Sequence, residues 1–178
     1  MFGYSAALPQ IMEKCGIRYF MTTKISWNEF NKMPCDTFEW EGIDGTRILT
    51  HFVPTRDYNK GAVEGGFETE HFTTYNGYIN PSQMKGAWKR YSQKYLNDEV
   101  LCSFGYGDGG GGPTKDMLEN QRRLAKGIPG CPKTVMSTSR EFFHVLDENV
   151  RGKKYLPSWV GELYLEYHRG TYLSLIHI

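Results

Sequence analysis

Apolar residues fall at helical spacing over residues 80–95 and gather into short unbroken runs on either side. Met84, Ala87, Trp88, Tyr91 and Tyr95 lie three or four apart, the stripe of one helix face. Asn80 stands where an N-cap belongs, Pro81 suits the first turn, and Gln83 can reach back towards the cap. A second helix is predicted in KDMLENQRRLAK, capped by Thr114 and closed by Gly127. A third runs from Thr138 through Val150, with Thr138 and Glu141 at capping-box spacing. Ser5 caps a shorter amphipathic stretch, AALPQIMEKC, ended by Gly16. SWNE at 26–29 has the same capping-box spacing and predicts the start of a short helix.

Between these stretches, IRYFMTT, EVLCSF and TVMS predict short strands, the first two buried. TFEWE and TRILTHF flank GIDG and predict a β-hairpin turning at Asp44 and Gly45. Residues 54–79 show little periodicity and many Gly, Thr, Tyr and Asn, which predicts a long loop of the functional or mobile kind. Helices alternating with apolar strands point to an α/β domain with a largely parallel sheet. In such sheets ligands gather at the carboxyl ends of strands, and the glycine-rich loop after EVLCSF is expected at one of those ends. RGKKYLPSW, basic and with a proline, reads as a domain boundary, and GELYLEYHRGTY as the start of a second, helical unit.

Length and charge narrow the function classes. The 178 residues suffice for one domain with a core, or for a piece of something larger. The 21 basic and 20 acidic residues are interspersed, which argues against a nucleic-acid partner because such binding leaves a basic stripe. Aromatics reach 15% with 12 tyrosines, enough to serve flat sugar faces as well as ordinary packing. Cys15, Cys35, Cys102 and Cys131 are far apart and form no CxxC pair. No signal peptide opens the chain and no apolar stretch reaches bilayer length, so the expectation is a reduced, cytoplasmic setting without a membrane partner.

The candidate chemistry centres on SFGYGDGGGGPT, residues 103–114, where Asp108 stands alone among glycines. A phosphate cradle would need Lys and then Ser or Thr directly after the glycines. Here Pro113, Thr114 and Lys115 follow in the wrong order, and the carboxylate would repel a pyrophosphate. The alternative is an acid offered to a polyhydroxylated ligand. Flanking Tyr and Phe would desolvate Asp108 and raise its pKa towards the range of a general acid. A purely structural Asp108, bonded to its own loop's amides, fits the composition equally well. His168 in EYHRGT is the second candidate, although Glu162, Glu166 and His168 lack the spacing of a zinc motif. His51, His71 and His144 carry no signal of their own.

Taken together, MFGYSAALPQIM, MTTKISWNEFNKMP, FEWEGIDGTRILTHF, TTYNGY, SFGYGDGGGGPT, LENQRRLAKGIPGCP and WVGELYLEYHRGTY closely resemble glycoside hydrolase family 38 α-mannosidases, the branch with bacterial and cytosolic or vacuolar enzymes. The resemblance covers nearly all of residues 2–172. It implies a retaining, exo-acting glycosidase with a divalent metal, usually zinc, in its sugar site. The implied fold is the later part of a (β/α) barrel-like catalytic domain over residues 1–152. Residues 153–172 would form a linker and the start of a helical middle domain. In the family motif Asp-x-Phe-Gly-Tyr-Ser, the Asp is both nucleophile and metal ligand. Phe2, Gly3, Tyr4 and Ser5 match, so that Asp would be the residue before Met1, and the upstream His-x-Asp ligands would lie further ahead. His168 matches the remaining metal ligand and Asp108 the general acid/base. Lys24, Tyr58 and Phe2 fall at substrate-lining positions.

Two further expectations concern the ends and the activity. LSLIHI at 173–178 departs from the family pattern and equals the translation of a common sequencing-library adapter, which marks a non-native tail. With the nucleophile and two ligands upstream, the chain alone is expected to be inactive towards its implied partner, a terminal α-mannoside of an oligosaccharide or glycan. The competing reading is a non-catalytic carbohydrate-binding protein derived from the same fold. A second copy of the full-length enzyme, in a homo-oligomer, is a further candidate partner.

Overall fold

The computed structural model describes residues 3–28, 30–56, 63–64, 67–68 and 73–166. Its elements are α1 (Leu8–Lys14), β1 (Tyr19–Thr22), a 3-10 turn (Lys24–Ser26), β2 (Thr37–Glu41), β3 (Arg47–Phe52), β4 (Val63–Glu64), β5 (Phe67–Glu68), α2 (Pro81–Arg90), α3 (Lys115–Ala125), α4 (Ser139–Val150) and β6 (Ser158–Val160). The main sheet has the order β1-β3-β2-β6, and β4 and β5 form a separate antiparallel pair.

The sheet is mixed, a correction to the largely parallel one expected. β1 runs parallel to β3 and β6 parallel to β2, but β2 and β3 are antiparallel because the predicted hairpin joins them. Asp44 Oδ1 accepts from Thr46 N–H at 3.0 Å within that turn, and Gly45 takes a φ of 83° that suits glycine. Pairing places Phe20, Phe38, Trp40, Ile48 and Phe52 on one face, packed with Leu8 and Met12 of α1. The opposite face carries Tyr19 and Leu49, packed with Phe142, Phe143, Leu146 and Val150 of α4. A helix on each face makes this an α/β arrangement, and β3, buried from Ile48 to Phe52, is its centre.

The caps behave as predicted at three helices. Asn80 Oδ1 accepts from Gln83 N–H at 2.8 Å, Thr114 Oγ1 from Met117 N–H at 3.3 Å, and Thr138 and Glu141 close a reciprocal capping box. The Gln83 side chain, however, reaches past the cap and accepts from Tyr78 N–H at 2.6 Å.

Four local expectations are corrected. Residues 99–104 form no strand, only a single bridge from Phe104 to Gly77. Residues 134–137 form none either, and Val135 is 86% exposed. No helix starts at Ser26, which instead ends the 3-10 turn, its hydroxyl donating to Thr23 O at 2.7 Å. Tyr95 lies outside α2 and is exposed. Residues 158–163 meet the same sheet: β6 extends it, and Leu163 exchanges backbone hydrogen bonds of 3.0 Å with Tyr4.

Burial singles out His51, a residue with no signal of its own in the sequence. It is fully buried on β3, its Nδ1 is 3.0 Å from Thr37 Oγ1, and Nε2 has no hydrogen-bond partner among the described residues. Desolvation is the main reason its pKa is pushed down to about 4, with Arg90 adding to the effect and Asp36 opposing it. A histidine held neutral contributes stability that is complete above its unfolded value near 6.5 and is lost as pH falls towards the folded value. The unfolding midpoint in urea should therefore decline from pH 6.5 to pH 5, with about 3 kcal/mol at stake across the full window. A midpoint flat over that interval would contradict the burial.

Candidate active site

Two irregular segments, 73–79 and 103–112, are held side by side. Gly77 N–H donates to Ser103 O at 3.1 Å, and Gly105 N–H donates to Gly77 O at 2.9 Å. The first segment is tied down at its start, where Thr73 N–H donates to Ser26 Oγ at 2.9 Å and Thr74 N–H to Thr55 O at 2.9 Å. Its end is fixed by the Asn80 cap of α2. The second segment closes on itself through Tyr106 N–H to Gly112 O at 3.1 Å, and Thr114 then opens α3.

Asp108 sits in that closed loop with a φ of 31°, a left-handed conformation that a non-glycine residue adopts only where its surroundings hold it. Side chains of the first segment hold it. Tyr75 Oη donates to Asp108 Oδ1, and Asn76 Nδ2 donates to Oδ2 at 3.2 Å. The Asn76 side-chain oxygen accepts from Gly107 N–H at 2.8 Å, so one amide fixes both the carboxylate and the backbone beside it. Lys24 Nζ lies 4.0 Å from the centroid of the Tyr75 ring, in cation–π geometry.

This arrangement overturns the expected direction of the Asp108 pKa. The side chain is exposed, and the Tyr75 hydrogen bond, with help from Asn76 and the Lys24 charge, holds the carboxyl below its usual range. The same hydrogen bond is the largest reason that the Tyr75 phenol is raised. Ionised Asp108 is an acceptor for hydroxyl groups and a base. Donation of a proton requires a ligand to change its surroundings. The bonds from Tyr75 and Asn76 also differ from the alternative in which the acid serves only its own loop's amides.

The glycines divide into two groups. At Gly107 a Cβ would overlap the Asn76 amide oxygen, and at Gly77 it would lie 2.6 Å from Ser103 O, so glycine there lets the two segments touch. At Gly110 and Gly112 a Cβ would meet nothing within 4 Å, whereas at Gly111 between them it would lie 2.9 Å from Tyr106. Only that outer part of the loop leaves room for a ligand; the inner part serves the clamp on Asp108.

Lys24 follows the carboxyl end of β1, where its backbone N–H donates to Thr22 Oγ1 at 3.0 Å. The same Oγ1 lies 2.6 Å from Tyr4 Oη. Tyr4 in turn pairs with Leu163, and a Cβ on Gly3 would lie 2.5 Å from the Tyr164 ring. Residues 3–4 and 163–164 therefore run together beside the end of β1. Phe2, Tyr58 and His168 themselves lie outside the described residues. Lys24 and Asp108 are brought together, with Tyr75 between them.

Glu166 is engaged elsewhere, its carboxylate accepting from Phe30 N–H at 3.0 Å and Asn31 N–H at 2.9 Å. Among the described residues no three His, Cys, Asp or Glu side chains gather in a way that could hold a metal ion. A cavity of about 260 Å³ lies next to the cluster, lined by Thr22, Ser26, Thr73, Asp36 and Arg90 among others, but not by Asp108. The sequence missed Tyr75 and Asn76. The stretch TTYNGY carried their only signal.

Comparison with known proteins gives a consistent picture. Residues 1–162 match the glycosyl hydrolases family 38 N-terminal domain. The chain is 43% identical over 174 residues to alpha-mannosidase 2C1 of Homo sapiens, and 42% identical over 173 residues to alpha-mannosidase G of Dictyostelium discoideum. It is 36% identical over 178 residues to an alpha-mannosidase of Saccharomyces cerevisiae. Each alignment takes in 97% of this chain but only 14–15% of the relative. The fold also resembles the crystal structure of an alpha-mannosidase from Enterococcus faecalis V583, with a TM-score of 0.59 and 17% identity over 92% of this chain and 17% of that one. No helix among the described residues is long and apolar enough to cross a membrane.

Proposed function

The chain belongs to glycosyl hydrolase family 38, and on that premise we propose that it forms the later part of the catalytic domain of a retaining exo-α-mannosidase acting on terminal α-mannosyl residues of oligosaccharides or glycans. Residues 1–152 belong to a barrel-like α/β domain in this reading, and residues 153–172 lead into a helical domain. The observation that carries the proposal is the convergence of Tyr75, Asn76 and Lys24 on Asp108.

Asp108 acts as the general acid/base. It gives a proton to the glycosidic oxygen as the bond to C1 breaks and a second carboxylate bonds to C1. It then takes a proton from the water that releases mannose. By the family motif the second carboxylate is the residue before Met1, and the matched Tyr4 of that motif contacts Thr22, whose hydroxyl also accepts from Lys24 N–H. A divalent metal, zinc by resemblance, is proposed near His168 and would orient sugar hydroxyls. Lys24, Tyr58 and Phe2 line the mannose site. The four cysteines are all free thiols, in keeping with a reducing, cytoplasmic compartment.

An aryl α-mannoside assay with added zinc or cobalt tests the proposal. The intact protein should turn the substrate over and the 178-residue chain should not. Turnover by the short chain would show that the second carboxylate is not upstream. An inert intact protein would favour a carbohydrate-binding role, a reading that the lowered Asp108 pKa also supports.

A further inference from the structure

Tyr78 and Tyr106 meet across the paired segments that hold Asp108, next to the Gly77–Gly105 hydrogen bond. Their ring centroids are 5.7 Å apart with the planes at 89°, and the two residues are 47% and 50% exposed. An edge-to-face pair of this kind is fixed in place yet keeps ring face open to solvent, which is what stacking against the C–H face of a sugar needs. The pair is locked at the backbone as well: Tyr78 N–H is held by Gln83, and Tyr106 N–H closes the glycine loop on Gly112. The open glycines, Gly110 and Gly112, belong to that same loop.

The position relative to Asp108 decides which sugar would stack there. The glycosidic oxygen that receives the proton lies between the mannose and its leaving group. Lys24, Thr22 and Tyr4 mark the mannose side, because they lead to the motif that carries the second carboxylate. Tyr75 faces Lys24, whereas Tyr78, three residues further along, faces Tyr106. We propose that Tyr78 and Tyr106 form the platform for the leaving-group sugar. This rests on the mannosidase reading of the same site and adds that the enzyme selects a second pyranose ring in its substrate.

The test compares α-1,2-mannobiose, which has a leaving-group sugar, with α-mannosyl fluoride, which has none, in the intact protein carrying this segment. Tyr106→Ala should lower kcat/KM for mannobiose by about tenfold, the scale of one aromatic stacking contact, while the fluoride changes less than about twofold by the same reasoning. Tyr106→Phe, which keeps the ring, should restore most of the loss. Equal losses on both substrates would assign Tyr106 a purely structural role, and no loss on either would remove it from the site; each overturns the platform. Wild-type protein that cleaves neither substrate would instead sink the mannosidase reading and the platform with it.

Discussion

Replacing Asp108 with Ala in the intact protein is expected to cut kcat/KM for unactivated mannosides by on the order of 10²- to 10⁴-fold, the usual worth of a positioned proton donor. Aryl mannosides with good leaving groups need little protonation and should lose far less in the first step. A uniform loss across leaving groups would make Asp108 structural. The surroundings of the carboxyl add a pH signature. Tyr75, Asn76 and Lys24 all favour the ionised form. If the free enzyme must carry this proton, kcat/KM should fall as pH rises from the acid side, beginning below the range of an ordinary enzymatic acid. Tyr75→Phe removes the largest of those influences, so the carboxyl pKa rises and the fall shifts to higher pH. A Tyr75→Phe profile that merely scales down, with no shift, would show that the phenol supports the loop without tuning the acid.

What the sequence made legible follows from where its signals are local. The hairpin β2–β3 could be read because alternation and an Asp-Gly turn lie within 16 residues of chain, Thr37 to Phe52. The caps at Asn80, Thr114 and Thr138 involve partners three residues away. EVLCSF was misread because an apolar run reports burial, not geometry. Cys102 and Phe104 do pack against Ile79, Met84 and Leu124, but beside another loop and two helices instead of a sheet neighbour. Asp108 stood out by composition alone. Tyr75 and Asn76 did not, because they reach it from 33 and 32 residues upstream, out of a stretch without periodicity. That distance also explains the wrong sign of the pKa expectation. The adjacent aromatics suggested desolvation, while the groups that set the charge state come from elsewhere in the chain.

The largest loss of stability is expected at Asp36, where β2 begins. Its side chain is only 6% exposed; Oδ1 accepts from Arg90 at 2.5 Å, and Oδ2 accepts from the Ser92 N–H and hydroxyl, both at 3.0 Å. Removing one partner of a buried, hydrogen-bonded ion pair costs about 3–5 kcal/mol, because the other charge stays desolvated. Arg90 is 21% exposed and borders the 260 Å³ cavity, so water can offset part of that penalty and the lower end applies to Asp36→Ala. Arg90→Ala leaves the more deeply buried carboxylate behind and should cost at least as much. The consequence reaches the site, since Asp36 anchors the end of α2, and α2 begins directly after the segment that clamps Asp108. Gln93 reinforces the same seam by accepting from Asp36 N–H and Thr37 N–H and donating to Thr37 O. Urea unfolding of Asp36→Ala, Arg90→Ala and the double variant should give strongly non-additive losses, with the double variant less damaged than the sum. Additive losses would mean that the two side chains stabilise the fold independently and that their ion pair is not what holds the seam between β2 and α2.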